Sequence, residues 1–86
     1  MEYVAIAFRS RSLAVRFYEF LSGFGVRGEI INTPSEAGVG CGLSVKVSRS
    51  AYPAALAAAR KFGGEGLAGI FLIKTAQGRR TVIRLI

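Results

Sequence analysis

The chain has a single cysteine, Cys41, which stands between glycines in the stretch G-V-G-C-G-L of residues 38–43. The thiolate is the form of cysteine that attacks and carries sulfur, and a free thiol with a pKa of about 8.5 is mostly protonated at neutral pH. Free cysteines are also among the most buried residue types and then act as small apolar side chains. The residue type therefore leaves two interpretations open, a reactive sulfur or a packing residue.

Positive charge and a predicted helix start lie at Arg9, Ser10 and Arg11. A helix N-terminus offers unpaired N–H groups and a partial positive charge, and arginines add full charges. Gly40 and Gly42 would let backbone N–H groups approach an anion closely. Together these residues would favour a thiolate and hold an anionic adduct. The alternatives are solvated arginines, a serine that only caps the helix, and glycines that only supply positive φ.

Several chemistries are disfavoured by composition. Histidine is absent, so the chain cannot by itself build a Ser-His or Cys-His pair or a usual zinc site. The acids are scattered, and none form a pair suited to acid/base work. We therefore expect a protein that is not an enzyme and that needs neither metal nor cofactor. The acids are Glu2, Glu19, Glu29, Glu36 and Glu65.

The net charge of +7 indicates an anionic partner, although dispersed charge from Arg9 to Arg84 also serves solubility. RNA-binding sheets of the predicted class stack bases on aromatic residues of their central strands. The predicted third strand, L-S-V-K-V-S, has no ring, and Tyr3 alone could reach the open face of the sheet. Nucleic acid is therefore the less favoured partner.

The length of 86 residues and the hydrophobic content of 51% predict one small domain over residues 1–86. One cysteine forbids an internal disulfide. No apolar run is long enough for a membrane span, and the start does not have the pattern of a signal peptide. We expect a cytoplasmic protein with no membrane partner.

The hydrophobic pattern predicts five strands and two helices. Ser10 or Ser12 would cap the first helix, whose stripe includes Leu13, Phe17 and Phe24. Strict alternation in the third strand would place Ser44 on the outward side. The predicted strands are 2–8, 26–32, 43–48, 67–74 and 81–86; the helices run from Ser10 or Ser12 to Gly23 and from about Ser50 to Gly63, and A-Q-G-R at 76–79 is a hairpin turn.

This order, β-α-β-β-α-β with a further strand, predicts an α+β chain with a ferredoxin-like two-layer sandwich and a C-terminal hairpin extension at 76–86. In that topology the first helix starts at the same end of the sheet as the loop that precedes the third strand. We therefore expect the segment Arg9–Ser12 to neighbour the loop Thr33–Gly42. Ala5 and Ala7 would lie on the open sheet face, where a partner sheet could pack.

The chain resembles the putative selenium/sulfur carrier protein-like family over roughly residues 3–73. The order and spacing of short motifs carry the resemblance, and Cys41-Gly42-Leu43 is the most specific of them. The other matching residues are Tyr3–Phe8, Ser10, Ala14, Leu21, Gly25 and the pair Thr33-Pro34. The resemblance implies a ferredoxin-like domain in which Cys41 is the attachment point for sulfur or selenium, held as a persulfide or selenosulfide.

Such a carrier would need a donor protein and an acceptor protein as partners. The chain departs from the family's usual length by its tail, Ala76–Ile86. A different interpretation is an interaction or regulatory domain that forms a homodimer, because the apolar final strand T-V-I-R-L-I could lie at a sheet edge, and exposed edges favour pairing.

Overall fold

The computed structural model describes all 86 residues. The strands and helices follow one another in the order that the hydrophobic pattern predicts, with three short 3-10 turns between them. The strands are β1 Glu2–Phe8, β2 Glu29–Asn32, β3 Leu43–Ser48, β4 Leu67–Ala76 and β5 Arg79–Arg84, and the helices are α1 Arg11–Gly23 and α2 Tyr52–Phe62.

All five strands form one sheet in the order β2-β3-β1-β4-β5, and every neighbouring pair is antiparallel. The predicted α+β class, with two helices and an antiparallel sheet, is therefore confirmed. The bounds of three strands differ from the prediction. β2 begins at Glu29, because Val26 is instead buried in the core. β4 extends to Ala76, and β5 begins at Arg79 and ends at Arg84.

Both helices contribute to one core on one side of the sheet, which we call the helix-covered face. Ser10 caps α1 by accepting a hydrogen bond from the backbone N–H of Leu13 at 3.2 Å. Phe17 is fully buried, and its ring centroid lies 5.0 Å from that of Phe8 and 5.3 Å from that of Phe62. Phe24, predicted to continue the stripe, follows the end of the helix and is 40% exposed.

α2 presents small residues to the same core. Ala55, Ala58 and Ala59 are its buried positions, and Pro53 lies in its first turn, where a missing N–H costs no intrahelical bond. Small side chains let a helix approach the sheet closely. Neither helix has the combination of length and apolar character that would be needed to cross a membrane.

β4 and β5 form the hairpin that the turn residues predict. Gln77 and Gly78 have φ values of 52° and 75°, as in a two-residue turn with both central residues left-handed. The register pairs Ala76 with Arg79 and extends to Phe71 opposite Arg84. β5 is thus an edge strand at the far side of the sheet from β2.

Candidate functional site

Cys41 lies at the end of the loop of residues 33–42, which joins β2 to β3 and is called the cysteine loop below. Its backbone N–H donates a 3.0 Å hydrogen bond to the carbonyl of Phe8, the last residue of β1. Its sulfur lies 4.0 Å from the carbonyl oxygen of Leu43, and the residue is partly buried. The thiol is therefore neither fully enclosed nor fully exposed.

The positions on either side of Cys41 require glycine for different reasons. Gly40, with φ +80°, lies so close to β1 that a Cβ would be 2.6 Å from the carbonyl oxygen of Phe8. Gly42, with φ +95°, has open space where a Cβ would be. Gly40 is therefore required by close approach as well as by its left-handed backbone, and Gly42 by its backbone alone.

The two ends of the cysteine loop are joined by hydrogen bonds. The N–H of Thr33 donates to the carbonyl of Gly42 at 2.8 Å, and the hydroxyls of Thr33 and Ser44 are 2.7 Å apart. Ser44 is fully buried, so the prediction that it faces outward to solvent is wrong. The alternation of β3 does turn it away from the helices, but the loop covers that side of the sheet.

That second side, which we call the loop-covered face, has a small core of its own. Ala37 and Val39 of the cysteine loop pack against a buried cluster of four residues. The prediction that Ala5 and Ala7 lie on an open face is therefore wrong, because both are fully buried beneath this cover. The cluster consists of Ala5, Ala7, Phe71 and Ile73.

The cysteine loop meets β1 at Phe8, one residue before Arg9, so it lies beside the end of the strand that leads into α1. Ser10 is the N-cap of α1, and its hydroxyl also lies 3.4 Å from that of Ser12. The N–H of Arg9 donates to the carbonyl of Gly66 at 2.8 Å. Arg9 and Arg11 are exposed and form no ion pair. Their predicted contact with an adduct on Cys41 stays a prediction.

The acid nearest to Cys41 in sequence, Glu36, is held by an arginine from β5. Arg80 donates from Nη2 to Oε1 at 2.6 Å and from Nε to Oε2 at 3.0 Å. These hydrogen bonds, followed by the backbone N–H of Glu36, hold the pKa of the Glu36 carboxyl below its ordinary value. The charge of this carboxylate is therefore compensated within the molecule.

A surface depression of about 260 Å³ lies over the cysteine loop, between Thr33-Pro34 and the glycines that precede β3. A second, of about 360 Å³, lies at the opposite end of the sheet and includes Tyr3 and Lys46. The ammonium group of Lys46 lies 4.7 Å from the centroid of the Tyr3 ring. The one ring that could stack on a base is therefore already in contact with a cation of the same chain.

Sequence reasoning missed two groups that shape this site. The hydroxyl pair of Thr33 and Ser44 could have been suspected, because alternation in β3 puts Ser44 on the same side as Ala7, its partner in β1. Nothing in the sequence indicates that Arg80 pairs with Glu36, because Arg80 is one of 12 basic residues and lies 44 positions from Glu36.

Comparison with known protein families matches residues 3–68 to the family described as "Putative Se/S carrier protein-like". The matched stretch is about three quarters of the chain; it includes the whole cysteine loop and ends at the start of β4. No curated protein and no solved structure gives a significant match.

Proposed function

Because the chain belongs to the putative Se/S carrier protein-like family, we propose that it carries sulfur or selenium from a donor protein to an acceptor protein. Cys41 is the attachment residue in this proposal. The observation that supports it most directly is that the only thiol of the chain is partly exposed, at the end of a loop within the matched region.

The loading step is an exchange between a thiolate and a persulfide. The Cys41 thiolate attacks the terminal sulfur of a persulfide on the donor; a new S–S bond forms at Cys41, and the S–S bond of the donor breaks. The donor leaves as a thiolate, and the transferred sulfur keeps its proton, so the step needs no external oxidant or reductant. The selenium version forms a selenosulfide in the same way.

The surroundings of Cys41 suit such an exchange. Arg9 and Arg11 have no carboxylate partner, so they are free to approach an anionic persulfide. Gly40 and Gly42 place no side chain beside the sulfur, and the space next to Gly42 is open. In the proposal the arginines and the α1 N-terminus capped by Ser10 favour the anionic forms, and the glycines leave room for a partner's cysteine.

A carrier needs no general base of its own, since donor and acceptor supply the rest of the chemistry. We therefore infer that the protein is not itself an enzyme and takes no metal or cofactor. We also infer that β1 to β4 and the two helices form a ferredoxin-like unit, to which β5 adds a strand at the edge next to β4.

The test is incubation of the protein with a cysteine desulfurase and cysteine, followed by intact-mass measurement. We expect wild-type protein to gain the mass of one sulfur atom, which a reductant removes, and Cys41→Ser to gain none. Arg9→Ala and Arg11→Ala should slow loading. Arg16→Ala, at an exposed position of α1, should not. A wild-type protein that gains no sulfur while a known carrier does would reject the proposal for that donor.

A second candidate function is self-association through β5. This strand is at the sheet edge; Ile83 within it is 40% exposed, and Leu85 and Ile86 after it are 39% and 48% exposed. Unpaired edges with apolar side chains favour pairing with another strand. The second copy would extend the sheet from β5. The cysteine loop would then remain available to a donor or acceptor protein.

Sedimentation or light scattering over a range of concentrations tests this candidate. A dimer that Ile83→Lys abolishes would support it, with Val15→Lys on the exposed side of α1 as the matched control. A monomer at the highest concentration would reject it.

A further inference from the structure

The ion pair between Glu36 and Arg80 connects the cysteine loop with β5. Glu36 belongs to the 3-10 turn Ser35–Ala37 of the cysteine loop, and Arg80 belongs to β5. Both guanidinium hydrogen bonds are short, at 2.6 and 3.0 Å, and each reaches a different carboxylate oxygen. A bidentate pair of this kind fixes the orientation of both groups as well as their distance.

The backbone hydrogen bonds that join the loop to the sheet are all at its ends. The bonds of Thr33 to Gly42 and of Cys41 to Phe8 hold the base of the loop. In the 3-10 turn, the N–H of Ala37 donates to Pro34 and the N–H of Gly38 to Ser35, so these bonds stay inside the loop. The tip is therefore held to the sheet by the apolar contacts of Ala37 and Val39 and by Arg80.

We propose that Arg80 is a positioning residue that holds the cysteine loop closed on the sheet and so sets how often Cys41 is presented to a reaction partner. The inference rests on the proposed function only in that Cys41 is the residue to be presented. Arg80 lies beyond residues 3–68, so this chain places the control of the loop in its C-terminal hairpin, outside the part that the family model covers.

The expected size of the effect follows from exposure. The side chains of Arg80 and Glu36 are each 43% exposed, so salt and water weaken their attraction. Exposed pairs shift an equilibrium by a factor of about two to five. Loss of the pair should therefore raise the open fraction of the loop by about that factor and leave the core intact.

The experiment measures the rate at which iodoacetamide, a neutral reagent, alkylates Cys41, as a function of pH. We expect the plateau rate at high pH to rise about two- to fivefold in Arg80→Ala and in Glu36→Gln. The charge-swapped double variant Glu36→Arg with Arg80→Glu should return toward the wild-type rate. Arg79→Ala, on the preceding position of β5 and without an acidic partner, is the matched control and should keep the wild-type rate.

Three results would overturn the proposal: an unchanged plateau in Arg80→Ala, an equal rise in Arg79→Ala, or a swapped pair that does not restore the rate. A shifted midpoint of the pH profile with an unchanged plateau would also overturn it, because it would reflect only the lost charge. Alkylation needs no donor protein, so this outcome is independent of sulfur loading. If wild-type protein takes up no sulfur but Arg80→Ala still raises the alkylation rate, the carrier function is rejected and the positioning role of Arg80 stands.

Discussion

The two faces of the sheet are covered in different ways. The helix-covered face buries a cluster of 14 residues, which come from both helices, three strands and Val26 between α1 and β2 and include the packed rings of Phe8 and Phe17. The loop-covered face buries a cluster of four residues beneath a single loop, whose one regular element is the 3-10 turn Ser35–Ala37. One face thus has a thick cover with many buried residues, and the other has a thin cover with few.

The two faces therefore have different roles in the protein. Large apolar side chains bury the most area and contribute most to the free energy of folding, so the helix-covered face stabilises the domain. Segments with few buried apolar contacts open at low cost, and reactive groups are often presented on such segments. Cys41 lies in the thin cover. Substitutions on the helix-covered face should therefore have the largest effect on the free energy of unfolding. Substitutions on the loop-covered face should have a smaller effect on it and should also change the reactivity of Cys41.

The largest effect should come from Phe17→Ala on the helix-covered face. It removes a fully buried ring that contacts Phe8 and Phe62, and such deletions cost about 3–5 kcal/mol. Urea denaturation followed by circular dichroism measures the change in the free energy of unfolding. Phe24→Ala, at a residue that is 40% exposed, is the control and should cost less. Equal costs would contradict the assignment of the core to this face.

A smaller effect is expected for Gly40→Ala on the loop-covered face. Left-handed backbone is costly for alanine, and the Cβ would clash with the carbonyl of Phe8, so we expect a loss of about 2–3 kcal/mol. Cys41 alkylation should accelerate in the same variant. Gly38→Ala, with φ +63° and open space around the Cβ, isolates the backbone cost at about 1 kcal/mol. If the two variants behave alike, the close approach at Phe8 does not matter.

The hydroxyl pair under the loop should give an effect of about 1 kcal/mol. Ser44→Ala leaves the Thr33 hydroxyl without its 2.7 Å partner, and a lost hydrogen bond of this kind costs about 0.5–1.5 kcal/mol. The double variant with Thr33→Val should cost less than the sum of the single variants, because the two hydroxyls bond to each other. Additive costs in the thermodynamic cycle would contradict this coupling.

The smallest effect, a loosening of the cysteine loop, should appear when the pH is lowered. The pKa of Glu36 in the folded protein is below its ordinary value of 4.5, chiefly because Arg80 donates hydrogen bonds to it. The ion pair therefore contributes at pH above 4.5 and is lost as the pH falls through the depressed pKa. Amide NMR shifts of Ala37 and Val39 should report a loosened loop in that window, and Glu36→Gln should abolish the response. The other groups near the pair are the Ser35 hydroxyl and Tyr3.

The α+β class follows from the sequence because local signals agree with the tertiary structure. Ser10 is a capping residue before an apolar stripe, Gly23 stands at the end of the helix, and Gln77-Gly78 is flanked by two apolar runs. The bounds of β2 were predicted less well. Val26 has the residue type of a strand, but it packs into the core before the strand begins.

The site was predicted only in part. The position of the cysteine loop beside the end of β1 follows from topology, and Cys41 follows from its uniqueness and from the resemblance. The cover over Ala5 and Ala7 could not be predicted, because a glycine-rich loop has no periodicity that specifies which surface it contacts. Arg80 could not be predicted either, since long-range pairing of exposed charges leaves no pattern in a single sequence.

The bond from Thr33 to Gly42 has a consequence for protein engineering. It closes the cysteine loop at its base, so the segment between these residues begins and ends at one fixed point of the sheet. A replacement for such a segment has to match the spacing of the two adjacent strands and to cover the apolar cluster that includes Ala5 and Ala7. Thiol-bearing loops of other lengths could therefore be exchanged here while the helices and their phenylalanines stay as they are.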